Sequence, residues 1–286
     1  MDGIILVNKE KDMTSRDVVN RICKIFNTKK VGHTGTLDPL ATGVLAVAIN
    51  KGLKIVDEIT SYDKEYEAEI LLGTSTDTLD ITGNVLEERK VDIRAEEIDR
   101  VLNSFIGNYH MLVPKYSSIK VNGKKLYEYA RNNEDVEIPF RDVKVFELSR
   151  ISDLEKQDNK VSFKIRCRVS KGTYIRSLIR DISNELGTIG TMKELKRTKQ
   201  GDFDIKDSYS LEDIECNNYK ILPIKSVLKL PFIETSDDII NLVKNGNKIA
   251  ANYNYDEICF IKNDKLIAIY KRDDKNDKLF RPKKMF

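Results

Sequence analysis

The chain has 286 residues, of which 40% are hydrophobic and 33% charged, a balance typical of a folded globular protein and unlike that of a disordered chain. Its most apolar stretch, residues 40–49, is shorter than the roughly 20 residues that a membrane-spanning helix needs, and residues 1–9 lack the basic lead of a signal peptide. The net charge is +3, the four cysteines are scattered and there are two histidines, so we expect a cytoplasmic protein with reduced cysteines, no metal centre and no membrane partner.

The first 170 residues mix helical and extended patterns. Thr14 and Asp17 have the spacing of a capping box at a helix start, and Gly107 follows a second helical pattern as a stop signal. Apolar residues recur at helical spacing in two segments and alternate with polar residues in two others. The predicted elements are, in chain order, a helix at 15–26, a strand at 65–72, a helix at 95–106 and a strand at 161–169.

The rest of the chain changes character after Pro231, and we place a domain boundary near 229–233. Before it, the pattern predicts a turn at 170–173, a helix from 175 to 186 ended by Gly187, and a short capped helix at 191–197. After it come a helix at 236–243 and a hairpin of strands 258–261 and 266–270 that turns at Asn263–Asp264. Strands and helices interleave irregularly, which favours an α+β fold.

Basic residues are concentrated in three places. Residues 115–131 hold five basic residues against one acidic, and residues 271–284 hold seven against three. A third cluster, at 193–199, has four basic residues around Glu194. Such patches follow a phosphate backbone in nucleic-acid-binding proteins, but they are also ordinary solvated surface, and charge alone leaves both interpretations open.

The least regular segment is Gly32–Leu45, where glycines and a proline let the backbone approach another group closely. It lacks the G-K-[ST] end of a Walker phosphate loop. Asp38 precedes a proline, which favours an extended backbone and keeps its carboxylate out of a helix. Composition alone is consistent with a structural turn as well as with an active-site loop.

Arg176 stands in the first turn of a predicted helix, where a positive charge gains nothing from the helix dipole. An opposing carboxylate would explain its position. The alternative is an exposed arginine in a surface ion pair of little consequence.

Gly32–Leu45 resembles the G-H-T-G-x-L-D-P-x-A-[ST]-G-x-L signature of the TruB family of tRNA pseudouridine synthases. The chain departs from the family's pattern at Glu10, Asp12, Met111, Val113 and Lys196, positions outside the catalytic signature. The other blocks that resemble the family, in the family's order, are Lys9–Ser15, Lys64–Asp80, Pro114–Gly123, Ser170–Arg176 and Leu195–Thr198.

The resemblance implies an α+β pseudouridine synthase fold with a mixed, mainly antiparallel sheet flanked by helices. Residues 1–230 would form the catalytic domain, with a basic RNA-clamping insertion near 113–140, and residues 231–286 a small, mostly-β, PUA-like RNA-binding domain. The implied reaction isomerises uridine 55 in the T-loop of tRNA to pseudouridine by base flipping, and it needs no cofactor.

The resemblance also assigns the catalytic group. Asp38 matches the essential aspartate, whose carboxylate could stabilise or trap charge at C1′, attack C6 of the uracil, or remove the 2′ proton. Arg176 matches the arginine that pairs with it and keeps it ionised. Tyr66 matches a tyrosine that stacks on the extruded uracil, and its oxygen is a candidate acceptor for the C5 proton.

Other positions carry over as substrate contacts. His33, Tyr174 and Leu195 match residues around the flipped nucleotide, and each could equally be ordinary packing. The expected contacts with the RNA backbone are Lys9, Lys115, Lys120, Lys171 and Arg197.

Three rival functions are weighed against a stand-alone, monomeric tRNA enzyme without an obligatory protein partner. A non-catalytic RNA-binding protein would need the basic patches but not the set of Asp38, Tyr66 and Arg176. A guide-RNA-dependent synthase is the second rival, and the short chain disfavours it. A hydrolase that uses His33 and Asp38 as an acid–base pair is the third, and it would release free uracil.

Overall fold

The computed structural model describes residues 1–286, which fold around two large β-sheets and carry two further two-stranded ones. No helix is both long and apolar enough to cross a membrane. The helices are α1 (Ser15–Ile25), α2 (Val56–Thr60), α3 (Ala95–Ser104), α4 (Leu126–Arg131), α5 (Ile175–Glu185), α6 (Leu211–Glu215), α7 (Ile224–Val227) and α8 (Asp237–Lys244), with 3₁₀ turns at Asn50–Ile55 and Ile205–Asp207. The strands are β1 (Gly3–Lys9), β2 (Val31–His33), β3 (Thr42–Ile49), β4 (Lys64–Leu72), β5 (Thr74–Thr76), β6 (Val85–Glu88), β7 (Gly107–Leu112), β8 (Lys120–Val121), β9 (Lys124–Lys125), β10 (Phe140–Arg150), β11 (Glu155–Gln157), β12 (Lys160–Val169), β13 (Gly190–Gln200), β14 (Phe203–Asp204), β15 (Phe232–Glu234), β16 (Ile249–Ala250), β17 (Glu257–Lys262), β18 (Lys265–Asp273) and β19 (Asn276–Met285).

The larger sheet has ten strands in the main order β1-β3-β13-β4-β12-β10-β7, with β2, β14 and β11 paired to β3, β13 and β12. Its one parallel pair is β3 with β13, and every other pair is antiparallel. The expectation of a mixed, mainly antiparallel sheet flanked by helices is therefore confirmed.

Strand β1 is buried on both faces, which explains its nearly continuous apolar sequence. Ile5 and Val7 point into a core that α1, α3 and α5 cover on one face of the sheet. Ile4 and Leu6 point to the other face, where they meet α2 and two residues of the second sheet, Cys259 and Ile269. The loop that carries Asp38, residues 34–41, lies between β2 and β3.

The second sheet has five strands in the order β15-β17-β18-β19-β16 and packs α8 over its own apolar cluster. Lys283 on β19 bonds Glu257 at 2.8 Å and the buried Glu58 of α2 at 3.1 Å, so an ion pair as well as apolar contact joins this unit to the larger sheet. The small, mostly-β C-terminal unit expected from the sequence is present.

Most of the predicted elements are confirmed to within three residues at either end. They correspond to α1, β4, α3, β12, α5, α8 and the hairpin of β17 and β18. Thr14 and Asp17 form the expected capping box. Asn263 and Asp264 both have positive φ, at 49° and 64°, as the predicted tight turn requires.

Three predictions are corrected. The helix expected at 191–197 is strand β13, in which bulges near Lys193 and Thr198 break the alternation of buried side chains, so the burial spacing imitates a helix. Gly107 begins β7 instead of ending a helix, which stops at Phe105. In the Gly32–Leu45 segment only residues 34–41 are irregular, because its ends belong to β2 and β3.

Candidate active site

The loop of residues 34–41 carries Asp38 and is fixed from both sides. The Ser15 hydroxyl, at the start of α1, accepts a hydrogen bond from the Leu37 amide at 2.9 Å and lies 3.1 Å from the Leu37 carbonyl. The Pro39 carbonyl accepts from the Asp12 amide at 2.8 Å, and the Ala41 amide closes a turn onto the Asp38 carbonyl at 3.0 Å. Asp38 therefore projects from a rigid turn, with its side chain 35% exposed.

Arg176 is the partner of Asp38, as the sequence predicted. Its Nε lies 2.9 Å from Asp38 Oδ2, and its side chain is only 6% exposed. Its two terminal nitrogens donate to the carbonyls of Thr78 at 2.9 Å and Tyr116 at 3.1 Å. A buried guanidinium is tolerated only when it is paired in this way, and three contacts from different segments fix its plane.

A second carboxylate, Asp80, lies on the far side of Arg176, with Oδ2 3.8 Å from Nη1. It is buried, and its Oδ1 accepts from the Thr78 hydroxyl at 2.9 Å and from the Thr82 amide at 3.0 Å. These bonds hold the loop whose Thr78 carbonyl also receives Arg176. Asp80 thus supports the arginine without facing the cavity.

Lys9 and Arg197 do not lie where contacts with an RNA backbone require them, and this part of the prediction is corrected. Each is 1% exposed. The Lys9 ammonium donates to the carbonyls of Glu10, Met13 and Pro39 at 2.7, 2.7 and 3.3 Å, and burial lowers its pKa to about 8. Arg197 donates to the carbonyls of Val44 at 2.7 Å and Gly35 at 3.1 Å. Both cations brace the 34–41 loop from inside.

Gly43 allows this bracing. It pairs with Arg197 in the short parallel pairing of β3 with β13, at a φ of 106°. A Cβ at this position would stand 2.2 Å from the Arg197 carbonyl, a distance that no side chain tolerates. The glycine in the signature segment is therefore required by the close approach of two strands.

Tyr66 on β4 is 8% exposed and faces the same cavity as Asp38. Burial raises its pKa, and the neighbouring Arg197 offsets only part of that effect. The phenol is consequently neutral near pH 7, which makes it a stacking surface and a hydrogen-bond donor but a poor proton acceptor.

The cavity beside Asp38 has a volume of about 660 Å³, within the range of small-ligand sites. His33 is one of its walls, and burial together with Arg16 and Arg197 lowers the pKa of its imidazole. The Gly35 amide lies 3.4 Å from His33 Nδ1, which fits a neutral ring. The predicted residues that share this cavity are His33, Asp38, Tyr66, Lys171, Tyr174, Arg176, Leu195 and Arg197.

Residues 113–140, here called the basic segment, form the opposite wall. It contains the β8–β9 hairpin and α4 and shares a small apolar cluster with β7 and β10. Its residues Tyr116, Ser117 and Ser118 line the cavity, whereas the predicted RNA contacts Lys115 and Lys120 are exposed outside it.

Comparison with known proteins identifies this arrangement. The model of the TruB family pseudouridylate synthase N-terminal domain matches residues 23–175, and that of the tRNA pseudouridylate synthase B C-terminal domain matches residues 176–228. The tRNA pseudouridine synthase B of Staphylococcus aureus strain MSSA476 is 44% identical, over 100% of this chain and 99% of that protein. The chain belongs to the TruB family of pseudouridine synthases.

Solved structures support the same conclusion for the fold. An H/ACA ribonucleoprotein bound to a substrate RNA containing 2′-deoxyuridine includes a chain that is 26% identical, with a TM-score of 0.71 over 99% of this chain and 84% of that one. A Cbf5-Nop10-Gar1 complex gives 28% identity and a TM-score of 0.70 over 94% of this chain and 78% of that one. The predicted family, fold and class of enzyme are confirmed.

Sequence reasoning missed several residues of this TruB site. Asp80 lies within a recognised block, but nothing in its spacing showed that it would reach Arg176. Lys64 and Arg141 line the cavity, and burial lowers the pKa of Lys64 to about 8. Arg141 reaches the site from β10 and lies against Gly172, a contact between segments about 30 residues apart that no local pattern reveals.

Proposed function

We propose that this protein converts uridine 55 in the T-loop of tRNA to pseudouridine and that it acts alone, without a guide RNA or protein partner. The observation that carries the proposal is the Asp38 carboxylate, held 2.9 Å from a buried arginine at the edge of a cavity lined by Tyr66 and Tyr174. The full-length similarity to proteins named tRNA pseudouridine synthase B supports tRNA as the substrate.

The target base lies within a folded RNA loop and has to be flipped out to reach Asp38. Aromatic side chains receive an extruded base by stacking, and Tyr66 presents a neutral ring inside the cavity. His33, also uncharged, stands beside Asp38 and would pack against the displaced nucleotide. Lys171 and the exposed lysines of the basic segment would meet neighbouring phosphates.

The reaction breaks the bond from uracil N1 to ribose C1′, turns the base and forms a bond from C1′ to C5. C5 loses a proton and N1 gains one, so the product is an isomer and no oxidant or reductant takes part. Cleavage leaves positive charge at C1′, and the Asp38 carboxylate is the anion that stabilises it. Arg176 orients that carboxylate and keeps it from folding away from the nucleotide.

The test is tritium release from unmodified tRNA labelled with [5-³H]uridine, with the purified chain as the only protein. Release by the wild type and none by Asp38→Asn would support the reaction and the role of Asp38. A tRNA with cytidine at position 55 is the control for the site, and it should release no tritium in excess of the blank. Free uracil among the products would support a hydrolase, and tRNA binding without release would support an RNA-binding protein.

A further inference from the structure

Ser117 differs from the other hydroxyl-bearing residues of the cavity wall. It is 6% exposed, and its Oγ has no hydrogen-bond partner in the protein. A buried hydroxyl without a partner costs free energy, and folded proteins contain few of them. Ser117 lines the cavity beside Asp38, but its Oγ is itself out of contact with solvent, so a ligand in that cavity could supply the missing partner once the side chain rotates toward it.

The backbone around Ser117 is fixed on both sides. The Ser117 carbonyl accepts from the Tyr127 amide at 3.0 Å, and its own amide donates to the Lys115 carbonyl at 3.1 Å. The preceding carbonyl, of Tyr116, receives Arg176 at 3.1 Å. The Ser117 backbone is thus fixed relative to Arg176, which reduces the loss of entropy when its side chain forms a hydrogen bond to substrate.

The surroundings of Ser117 match the edge of a pyrimidine. The Tyr174 phenol stands next to the Ser117 hydroxyl. Burial raises the pKa of Tyr174, and the nearby Ser117 hydroxyl offsets a smaller part of that rise. The two hydroxyls do not reach hydrogen-bond geometry with each other. Uracil presents two carbonyl oxygens, each an acceptor for an O–H donor.

We infer that the Ser117 hydroxyl donates a hydrogen bond to a carbonyl oxygen of the flipped uracil. The basic segment then contributes a base-recognition residue to the pocket in addition to phosphate contacts outside it. This inference rests on the proposed function, because it takes the occupant of the cavity to be the target uridine.

A double-mutant cycle tests the inference. Binding is measured in an Asp38→Asn background, so that RNA is not converted, with a T-stem-loop carrying either uridine or an abasic ribose at the target position. Ser117→Ala should weaken binding of the uridine RNA about 3- to 10-fold, the range for one neutral hydrogen bond, and should leave binding of the abasic RNA within about twofold. Ser117→Cys, which keeps the side-chain shape, should behave like Ser117→Ala.

Thr74→Val is the matched control, because Thr74 is also buried with an unpartnered hydroxyl but does not line the cavity. It should change the binding of neither RNA. Equal losses for both RNAs after Ser117→Ala, or no loss for either, would overturn the inference. Failure of the proposed function shows separately, as the absence of tritium release by an otherwise unmodified chain.

Discussion

The catalytic loop (34–41) and the basic segment (113–140) are two walls of one cavity, built in opposite ways. Buried cations, Lys9 and Arg197, brace the catalytic loop by donating to its carbonyls and to those of adjacent residues. The basic segment turns Lys115 and Lys120 to solvent and has strands of only two residues. The braced catalytic loop is built to position a reacting group, whereas the basic segment, with its exposed lysines, is built to bind the charged RNA backbone. Arg176 contacts both.

The largest effect should follow from breaking the catalytic wall. We expect Arg176→Met to abolish turnover, a loss of at least about a hundred- to a thousandfold, because removal of one partner leaves the other charge uncompensated in a partly buried pair. Binding of tRNA should stay within a few-fold, since the Arg176 side chain is buried and offers the polymer no exposed charge. Single-turnover tritium release and filter binding measure the two quantities.

Arg180→Met is the matched control, one helical turn further along α5. Arg180 bonds Asp181 at 2.7 Å and the Leu112 carbonyl at 3.2 Å and lies outside the cavity. This variant should keep turnover within about fivefold. A near-wild-type rate for Arg176→Met would refute the role assigned to the ion pair.

The sequence predicted the pair of Asp38 and Arg176 but not its supports. An arginine at a helix N-terminus needs an external partner, and the family signature named that partner. Lys9 and Arg197 were expected to contact the RNA backbone, and both are buried although lysine and arginine are almost never fully buried. Only the folded loop shows that unpaired backbone carbonyls of the active-site region converge on them.

The second prediction weakens the recognition wall. We expect the double variant Lys115→Gln/Lys120→Gln to bind tRNA about tenfold more weakly at low salt while kcat is unchanged. If each lysine meets one phosphate, the slope of log affinity against log salt should fall by about 1.4 to 1.8. Titrations at several salt concentrations measure both effects.

Lys124→Gln is its control, because that ammonium already pairs with Glu134 and lies 4.7 Å from the centre of the Tyr129 ring. It should leave the salt slope nearly unchanged. An unchanged slope in the double variant would instead mean that Lys115 and Lys120 do not contact the RNA phosphates.

The third prediction concerns Tyr66, on the floor between the two walls. Tyr66→Phe should lower kcat only about two- to fivefold and leave tRNA binding unchanged, since the stacking ring is retained and the phenol is neutral. Loss of a general base costs about 10²–10⁴. A decrease of that size in Tyr66→Phe would mean that the phenol oxygen does accept the C5 proton. Tyr66→Leu, which removes the ring, should lower kcat more than Tyr66→Phe does.

The elements that the sequence did predict were largely right, and the main exception has a physical cause. Segments with an uninterrupted period, such as β4 and α5, were placed to within a residue or two at each end. Strand β13 was predicted as a short helix, and each of its two bulges places buried residues three apart, Met192 to Leu195 and Arg197 to Gln200, a spacing that a helix also gives. Bulges depend on the neighbouring strand, and no local sequence window contains that information.

The smallest expected effect is a pH dependence of stability from the buried braces of the catalytic wall. Burial lowers the pKa of Lys9 to about 8, below its value of about 10.5 in the unfolded chain. Between these pH values the unfolded state binds more protons, so the free energy of unfolding attributable to Lys9 rises with pH from about 8 to 10.5. Below pH 8 both states are protonated and burial of the charge costs its full amount.

Lys64 contributes in the same direction, because burial lowers its pKa to about 8 as well. Lys9→Met should therefore reduce the rise in stability across this window without removing it, and Lys124→Gln, an exposed-segment control, should leave it unchanged. Urea unfolding at pH 7.5, 9 and 10 measures the slopes as differences from the wild type, so tyrosines and cysteines that titrate in the same range cancel. An identical slope in Lys9→Met would mean that the Lys9 ammonium is solvated in solution, and the catalytic loop would then be held by its other contacts, among them Arg197, Ser15 and the Asp12 amide.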